Sequence, residues 1–303
     1  MNLPLPRTSQ QALRLLAALL TVALLVLLGS LGSGRPARPT YHHYVAMGDS
    51  YTAAPFVPLT DAAAGCYRSS NNYPRLLATA MHIDDLADRS CTGARTQDLA
   101  GSQMTARGRR VPPQLGALSG RTDLVTLGIG ANNHRLYARM ATSCRTSNRV
   151  CPLHDEREAL GRIVDQVGPT LAATLAEVKD LAPNARVLLI SYPRLLPPLG
   201  DCARLPRMRT QDRDTFRNIS LRLREQMRAA AQAAEVEFVD FYAESYGHDV
   251  CSRHPWIQGR AGNRQGAALH PLGAGQAALA RQIERLLRTE PQDLSPAGRG
   301  ARR

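Results

Sequence analysis

The most constraining feature of this sequence is an uninterrupted apolar run, Val-Leu-Leu-Ile over residues 187–190, which lies between Arg186 and Ser191. A strand with one face in water alternates apolar and polar residues, whereas a parallel strand covered on both faces is apolar throughout. The run therefore predicts a parallel strand with other structure packed on both sides of its sheet.

The rest of the chain supplies strands and helices in alternation. Strands are predicted at residues 44–47, 123–128, 186–191 and 236–240, and helices at 73–81, 156–181, 212–234 and 273–288. Such an alternation is typical of an α/β fold with a mainly parallel sheet. No internal repeat and no second domain are evident, so we expect a single folded domain over residues 44–288.

The two ends of the chain differ in composition from this domain. Arg7 and Arg14 precede a nearly unbroken apolar run over residues 15–31, which small residues follow. This order is typical of a secretory signal, and residues 1–34 are predicted to be either a cleaved signal peptide or a retained signal anchor. Residues 35–43 are interpreted as a linker. Residues 289–303, rich in Pro, Gly and Arg, are predicted to be a disordered basic tail.

The formal net charge is +13, and Lys179 is the only lysine. A basic surface could meet an anionic partner such as acidic lipid headgroups, so an anionic membrane surface is one partner to consider. The scattered arginines are also explained by an arginine- and alanine-rich composition alone. No nucleic-acid-binding motif accompanies them, so we expect no nucleic-acid partner.

The six cysteines agree with export, because an even number in an exported chain indicates disulfides. No C-x-x-C pair is present, which argues against a zinc site or thioredoxin-like chemistry. Cys144 and Cys151 are close in sequence and predict a local loop bridge, whereas the other pairings stay open at this point. The histidines outside the motifs described next lack the spacing of a metal site, so no metal is expected.

Two short motifs contain the reactive groups of a candidate site. Gly48-Asp49-Ser50 follows the first predicted strand, and open α/β sheets bind ligands just beyond the carboxyl ends of their strands. Gly48 would allow a tight turn there. His270 precedes Pro271 and the last predicted helix, so it could be held in one orientation. Taken alone, Gly-Asp-Ser is an ordinary turn sequence.

Two further motifs contain hydrogen-bond donors. Gly93 lies in the small-residue turn of residues 90–94 and could offer an unobstructed backbone N–H to an oxyanion. Asn132 follows the glycines of residues 128–130 at the end of the second predicted strand and could donate a side-chain N–H. A plain turn at Gly93 and a helix cap by Asn132 or Asn133 are the alternative interpretations.

In this order the four motifs resemble those of the SGNH (GDSL-type) hydrolases, over about residues 44–287. That family has Gly-Asp-Ser near its N-terminus, a glycine in the second block, Gly-x-Asn-Asp in the third and Asp-x-x-His in the last. The matching positions are Gly48-Asp49-Ser50, Gly93, Gly130-Ala131-Asn132-Asn133 and His270. Among its members the chain is most similar to secreted bacterial lipases and esterases, which share details such as Tyr51, residues 72–74, residues 248–251 and Trp256.

The resemblance implies a three-layer α/β/α sandwich with a small, mainly parallel, flavodoxin-like sheet. It also implies a monomeric, cofactor-free carboxylic ester hydrolase, with residues 44–288 as its catalytic domain. Ser50 would be the nucleophile and His270 the general base. The N–H groups of Ser50 and Gly93, with the side chain of Asn132, would form the oxyanion hole. The disulfides of the secreted members suggest the pairs Cys66–Cys91, Cys144–Cys151 and Cys202–Cys251.

Two positions depart from the family pattern. Asn133 stands where the family usually has Asp, although the adjacent donor Asn132 is kept. Ala267 stands three residues before His270, where the family usually has the aspartate of the catalytic triad. Some relatives use a main-chain carbonyl there, so we expect a Ser–His dyad in which a carbonyl, that of Ala267, orients the imidazole.

Several functions agree with these residues. The leading hypothesis is an exported esterase or lipase, secreted or anchored at the outer face of the cytoplasmic membrane, that acts on lipid or short-acyl esters. The alternatives are a deacetylase of acylated envelope polysaccharide, an acyltransferase, and a non-catalytic envelope-binding protein. The missing aspartate is the only feature that favours the last of these.

Overall fold

A computed structural model describes residues 40–142 and 153–289, together with the single residue Thr21. Apart from Thr21, the predicted signal segment of residues 1–34 lies outside the described residues, as do the Cys144–Cys151 bridge and the tail beyond Thr289. Within the described part of the chain, no helix is both long enough and apolar enough to span a membrane.

Five parallel strands form the central sheet: β1 (His43–Gly48), β2 (Asp85–Asp88), β3 (Leu124–Gly128), β4 (Arg186–Ile190) and β5 (Glu237–Val239). Their spatial order is β2-β1-β3-β4-β5, and every neighbouring pair is parallel. This is the flavodoxin-like order, in which the direction of winding reverses beside β1. The predicted α/β fold with a small parallel sheet is confirmed.

The helices are α1 (Ser50–Ala53), α2 (Tyr73–Met81), α3 (Gln97–Ala100), α4 (Arg157–Leu181), α5 (Thr210–Ala233), α6 (Phe241–Glu244) and α7 (Gly273–Leu287). Short 3₁₀ segments lie at Gln114–Ala117 and Asn133–Arg135, and a π-helical turn lies at Ala138–Thr142. Two antiparallel pairs, Thr60–Asp61 with Arg68–Ser69 and Gln103–Met104 with Arg110–Val111, are absent from the sequence-based prediction.

The alternation of side chains along each strand separates the core into two layers. On one face, Tyr44, Leu124 and Leu188 pack with α2 and α7. On the other face, Val45 and Val125 pack against the buried apolar stripes of α4 and α5. A sheet covered in this way needs strands that are apolar on both sides, as the run in β4 predicts. The result is the three-layer α/β/α arrangement that the family resemblance implies.

Two disulfides fasten loops near the carboxyl edge of the sheet. Cys66 pairs with Cys91, and Cys202 pairs with Cys251, so both of these predicted bridges are confirmed. No cysteine of the described residues is free. The Cys66–Cys91 bridge joins the loop after β2 to the segment after α1, both of which border the candidate site.

Candidate active site

Ser50 lies just past the end of β1, as the first residue of the four-residue helix α1. Asp49 caps this helix, because its carboxylate accepts a hydrogen bond from the Tyr51 N–H at 2.9 Å. Ser50 is only 6% exposed. The sharp change from strand to helix therefore holds the hydroxyl at the carboxyl edge of the sheet, inside the protein surface.

Gly48 makes this turn possible because the backbone of β3 approaches it too closely for a side chain. Its φ angle is +152°, and a Cβ atom at this position would lie 2.6 Å from the Gly128 carbonyl oxygen. The Gly48 carbonyl accepts a hydrogen bond from the Cys91 N–H at 3.0 Å. Any larger residue would push β3 away from β1, so the glycine of the first motif has a steric cause.

His270 lies in the loop before α7, and its ring reaches Ser50 across 220 positions of sequence. The Nε2 atom is 2.8 Å from the Ser50 Oγ, and the Nδ1 atom is 2.8 Å from the Ala268 carbonyl oxygen. The predicted partner of Nδ1, the Ala267 carbonyl, is wrong by one residue. That carbonyl instead accepts the backbone N–H of His270 at 3.1 Å, because the chain turns tightly there.

The correction from Ala267 to Ala268 follows from the backbone of Leu269. This residue has φ +56°, in the left-handed region that side chains with a Cβ atom rarely adopt. The Tyr51 hydroxyl holds it there by donating a 2.6 Å hydrogen bond to the Leu269 carbonyl. A left-handed residue directly before His270 brings the preceding carbonyl back toward the ring. Sequence patterns give no warning of such a conformation at a leucine.

Two tyrosines surround the His270 ring, and the motifs assigned a role to neither. The Tyr51 ring lies against it with centroids 4.8 Å apart. The Tyr137 hydroxyl donates to the Ala268 carbonyl at 3.1 Å and lies 3.3 Å from Nδ1. Among the described residues, no carboxylate forms an ion pair or a hydrogen bond with this ring. Tyr137 and a backbone carbonyl thus occupy the side of the imidazole that a triad aspartate would face.

Burial determines the protonation state of this histidine. It lowers the pKa of His270 to about 4, and the hydrogen bond to Ala268 opposes this shift only in part. The ring is therefore neutral near pH 7. Because the Ala268 carbonyl is a pure acceptor, the ring proton resides on Nδ1. The Nε2 lone pair then faces the Ser50 hydroxyl, which donates to it.

Three hydrogen-bond donors of the motifs lie at the carboxyl edge of the sheet: the N–H groups of Ser50 and Gly93, and the side chain of Asn132. Within the described residues, the N–H groups of Ser50 and Gly93 have no hydrogen-bond acceptor. Gly93 is exposed, with φ +82° and no atom closer than 3.8 Å to a Cβ added there. The Asn132 amide donates one hydrogen to the Ala94 carbonyl at 3.0 Å, which leaves its second hydrogen available. The structure thus brings the motif residues Gly93 and Asn132 to the same edge as Ser50.

Asn133 forms structural hydrogen bonds to Thr96, unlike Asn132, which keeps one amide hydrogen available. Its side-chain oxygen accepts the Thr96 N–H at 2.9 Å, and its side-chain nitrogen donates to the Thr96 hydroxyl at 2.8 Å. A carboxylate could accept the first of these bonds but could not donate the second. The asparagine at this position therefore ties the loop after Gly93 to the end of β3.

Asp49 is fully buried beneath the site. Its carboxylate accepts the Tyr192 hydroxyl at 2.5 Å, and burial raises the pKa of Asp49 to about 7. The same Tyr192 hydroxyl accepts the Ala131 N–H at 3.0 Å. This chain of bonds connects the turn at Ser50 with the loop that carries Asn132. No hydrogen bond or ion pair joins Asp49 to His270, so Asp49 does not replace the triad aspartate.

An open cleft of about 600 Å³ borders His270. Its walls include Phe56, Tyr137, Leu269 and Arg264. A second, mostly apolar cavity behind Tyr51 has room for only about 40 Å³, which is too small for a substrate. Of these two spaces, only the open cleft is lined by His270 and is large enough for a substrate. No cluster of metal-binding side chains occurs among the described residues.

Known proteins resemble this chain along most of its length. The model of the GDSL-like Lipase/Acylhydrolase family matches residues 46–278. Lipase 2 of Streptomyces coelicolor is 33% identical over 250 residues, which cover 78% of this chain and 83% of that protein. A lipase of Streptomyces rimosus is 30% identical over 274 residues, covering 83% of this chain and 88% of that protein. The crystal structure of phospholipase A1 from Streptomyces albidoflavus NA297 has a TM-score of 0.70 at 25% identity, covering 82% of this chain and all of that one.

Proposed function

The chain belongs to the GDSL-like lipase/acylhydrolase family and is a carboxylic ester hydrolase, and we propose that it works through an acyl-enzyme on Ser50. The observation that carries this proposal is the 2.8 Å hydrogen bond between the Ser50 Oγ and the His270 Nε2. A serine hydroxyl becomes a nucleophile when an adjacent base removes its proton. A neutral imidazole with its lone pair on this hydroxyl is such a base.

The reaction divides into two acyl transfers. The Ser50 Oγ attacks the ester carbonyl carbon while its proton moves to the His270 Nε2, and the carbonyl oxygen takes the negative charge. The N–H groups of Ser50 and Gly93 and the side chain of Asn132 would donate to this oxyanion. The carbon–oxygen bond to the alcohol then breaks, and the alcohol takes the proton from Nε2. Water, deprotonated by the same Nε2, releases the acid and restores Ser50.

His270 would act in a dyad without a carboxylate. The Ala268 carbonyl accepts the Nδ1–H and so holds the imidazole in the required tautomer. As the imidazolium forms, the partial negative charges of this carbonyl and of the Tyr137 oxygen lie 2.8 and 3.3 Å from Nδ1. These dipoles would stabilise the imidazolium less than a full charge does, so a modest turnover number is expected.

The proposed substrate is an acyl ester of a lipid, and the proposed location is outside the cell. Several relatives are named lipases, and one is named a phospholipase A1. Phe56, Tyr137 and Leu269 give the cleft beside His270 an apolar wall suited to an acyl chain. Export is supported by the two disulfides, which form and persist in oxidising compartments, and by the signal-like start of the sequence.

Hydrolysis of nitrophenyl esters from acetate to palmitate tests both parts of this proposal. Ser50→Ala should lower turnover by a factor on the order of 10⁶, whereas Ser70→Ala, an exposed serine outside the site, should leave it unchanged. A fluorophosphonate probe should add one adduct, and peptide mass mapping should assign it to Ser50. Activity within about tenfold of the native enzyme in Ser50→Ala, with the adduct elsewhere, would exclude Ser50 as nucleophile. Cleavage of acetate alone would argue against a lipid substrate.

A further inference from the structure

Two large apolar residues of one segment are exposed to solvent: Phe56, which lines the cleft, and Leu59, three residues further along the chain. Phe56 is 48% exposed and Leu59 is 78% exposed, although burying side chains of this kind normally stabilises a fold. Both residues have φ +65°, a conformation that is unfavourable for residues with a Cβ atom. The segment is nevertheless held in place, because the Pro55 carbonyl accepts the Ala267 N–H and the Leu59 carbonyl accepts the Ser70 N–H.

Arginines lie on both sides of these apolar residues. The Phe56 ring contacts the Tyr67 ring at a centroid distance of 5.7 Å, and Arg107 donates to the Tyr67 hydroxyl at 2.9 Å. Arg109 donates to the Ala63 carbonyl at 3.1 Å in the same segment. Arg264 lines the cleft together with Phe56. We call Phe56, Leu59, Arg107, Arg109 and Arg264 the rim.

The charge of the rim is not compensated. Within the described residues, Arg107, Arg109 and Arg264 have no carboxylate within 4.0 Å. On α5, by contrast, every arginine is paired with a carboxylate, as in the Arg222–Asp165 bridge. Asp61 is the one acidic residue in the segments 54–70, 103–111 and 258–268 that form this surface. The positive charge of the chain is therefore exposed here, and largely neutralised on α5.

We propose that the rim is the surface by which this enzyme docks on an anionic lipid–water interface. Exposed apolar side chains next to uncompensated arginines match a layer of acidic headgroups over acyl chains. Because the rim borders the cleft that opens onto His270, docking would bring ester bonds of that layer to Ser50. This inference deepens the proposed function, since it assumes that the substrate is a lipid ester.

A tryptophan at position 59 tests the docking directly. The full-length Leu59→Trp variant is mixed with phosphatidylglycerol vesicles that carry brominated acyl chains, and tryptophan fluorescence is recorded. Bromine should quench the new tryptophan. Vesicles of phosphatidylcholine, which is equally brominated but has no net charge, should quench it much less. The matched control is Leu181→Trp, because Leu181 is 41% exposed at the end of α4, near the amino edge of the sheet. This comparison separates docking by the rim from binding through any other part of the chain.

The charge contribution is tested with two double variants of equal net charge. Arg107→Gln/Arg109→Gln should weaken the quenching-derived affinity for phosphatidylglycerol about 30-fold, since each basic residue near an anionic surface contributes about 1 kcal/mol. Arg162→Gln/Arg281→Gln removes two exposed arginines of α4 and α7 that form no ion pair within the described part of the chain, and it should have much less effect. All of these variants should hydrolyse soluble nitrophenyl butyrate at the native rate.

The outcomes distinguish the two proposals. Equal quenching at positions 59 and 181, equal quenching by both kinds of vesicle, or equal effects of the two double variants would each overturn the docking surface. Binding of a soluble polyanion without vesicle quenching would do the same. If the native enzyme cleaves neither nitrophenyl esters nor vesicle lipids, the proposed function fails, whatever the quenching shows.

Discussion

The buried, neutral His270 predicts that ester hydrolysis persists at an unusually acidic pH. A general base acts only in its unprotonated form, so kcat/KM falls as pH drops through the pKa of this ring. Burial lowers that pKa to about 4, from an ordinary value of about 6.5. At pH 5 about 90% of the enzyme would hold a neutral ring, against about 3% for an unshifted histidine. Activity at pH 5 should therefore lie close to that at pH 7.5 and not about 30-fold below it.

The assay is kcat/KM for nitrophenyl butyrate between pH 4 and 8, followed by acid release in a pH-stat. The fold must be checked by circular dichroism at each pH. Because the unfolded chain takes up a proton on His270 that the folded chain resists, stability is lost as pH falls from about 6.5 toward 4. A loss of activity can be assigned to protonation of His270 only at a pH where the far-UV and near-UV circular dichroism spectra are unchanged.

Asp49 provides the control for this profile. Its pKa is raised to about 7, so it titrates within the range of the assay. An inflection near pH 7 that disappears in Asp49→Asn belongs to Asp49, and the acid limb near pH 4 should remain. An acid limb between pH 6 and 7 in both proteins, with the fold intact, would refute the assignment of a neutral, desolvated base to His270.

The other predictions concern the groups around this ring. Tyr137→Phe should lower kcat about tenfold and leave KM nearly unchanged, because one hydrogen-bonding group near the imidazolium contributes about 1.5 kcal/mol; an increase in KM alone would contradict this role. Asn132→Ala should lower kcat by about 10²–10³ while the CD spectrum is kept, and an unchanged kcat would remove Asn132 from the oxyanion hole. Asp249→Asn and Asp240→Asn should each cost less than tenfold in turnover, since Asp249 accepts the Cys251 N–H and Asp240 pairs with arginines; a thousandfold loss in either folded variant would contradict the dyad.

The sequence was sufficient to predict the sheet and the ends of most helices, because both follow from apolar periodicity. The run at β4 and the stripe of α2 appear in the structure at the predicted residues. The edge strand β2 has no bounds in the sequence-based prediction, since Asp85–Asp88 is half polar and lies at the border of the sheet. Apolar periodicity weakens where a strand is covered on fewer sides.

The candidate site was predictable where a motif fixes a residue, and unpredictable where tertiary contacts fix a conformation. Ser50 and His270 come together as the family resemblance implies. The carbonyl that accepts the Nδ1–H belongs to Ala268 and not to Ala267, because Leu269 adopts a left-handed conformation. The hydrogen bond from the Tyr51 hydroxyl stabilises that conformation, and it depends on tertiary structure. Tyr137 lies outside the four motifs, and its approach to the ring depends on the packing of the segment after Asn133.

The Cys66–Cys91 bridge couples the geometry of the proposed oxyanion hole to the redox state of the surroundings. Cys91 is two residues from Gly93, and its N–H donates to the Gly48 carbonyl beside Ser50, so the covalent bond fastens the proposed oxyanion donor Gly93 near the proposed nucleophile. Closing a loop of 25 residues restrains the unfolded chain by about 3.5 kcal/mol. Under reducing conditions the chain lacks this restraint. If the chain is exported as proposed, the bridge would close only in the oxidising compartment, and titration with dithiothreitol should lower the activity of the folded enzyme.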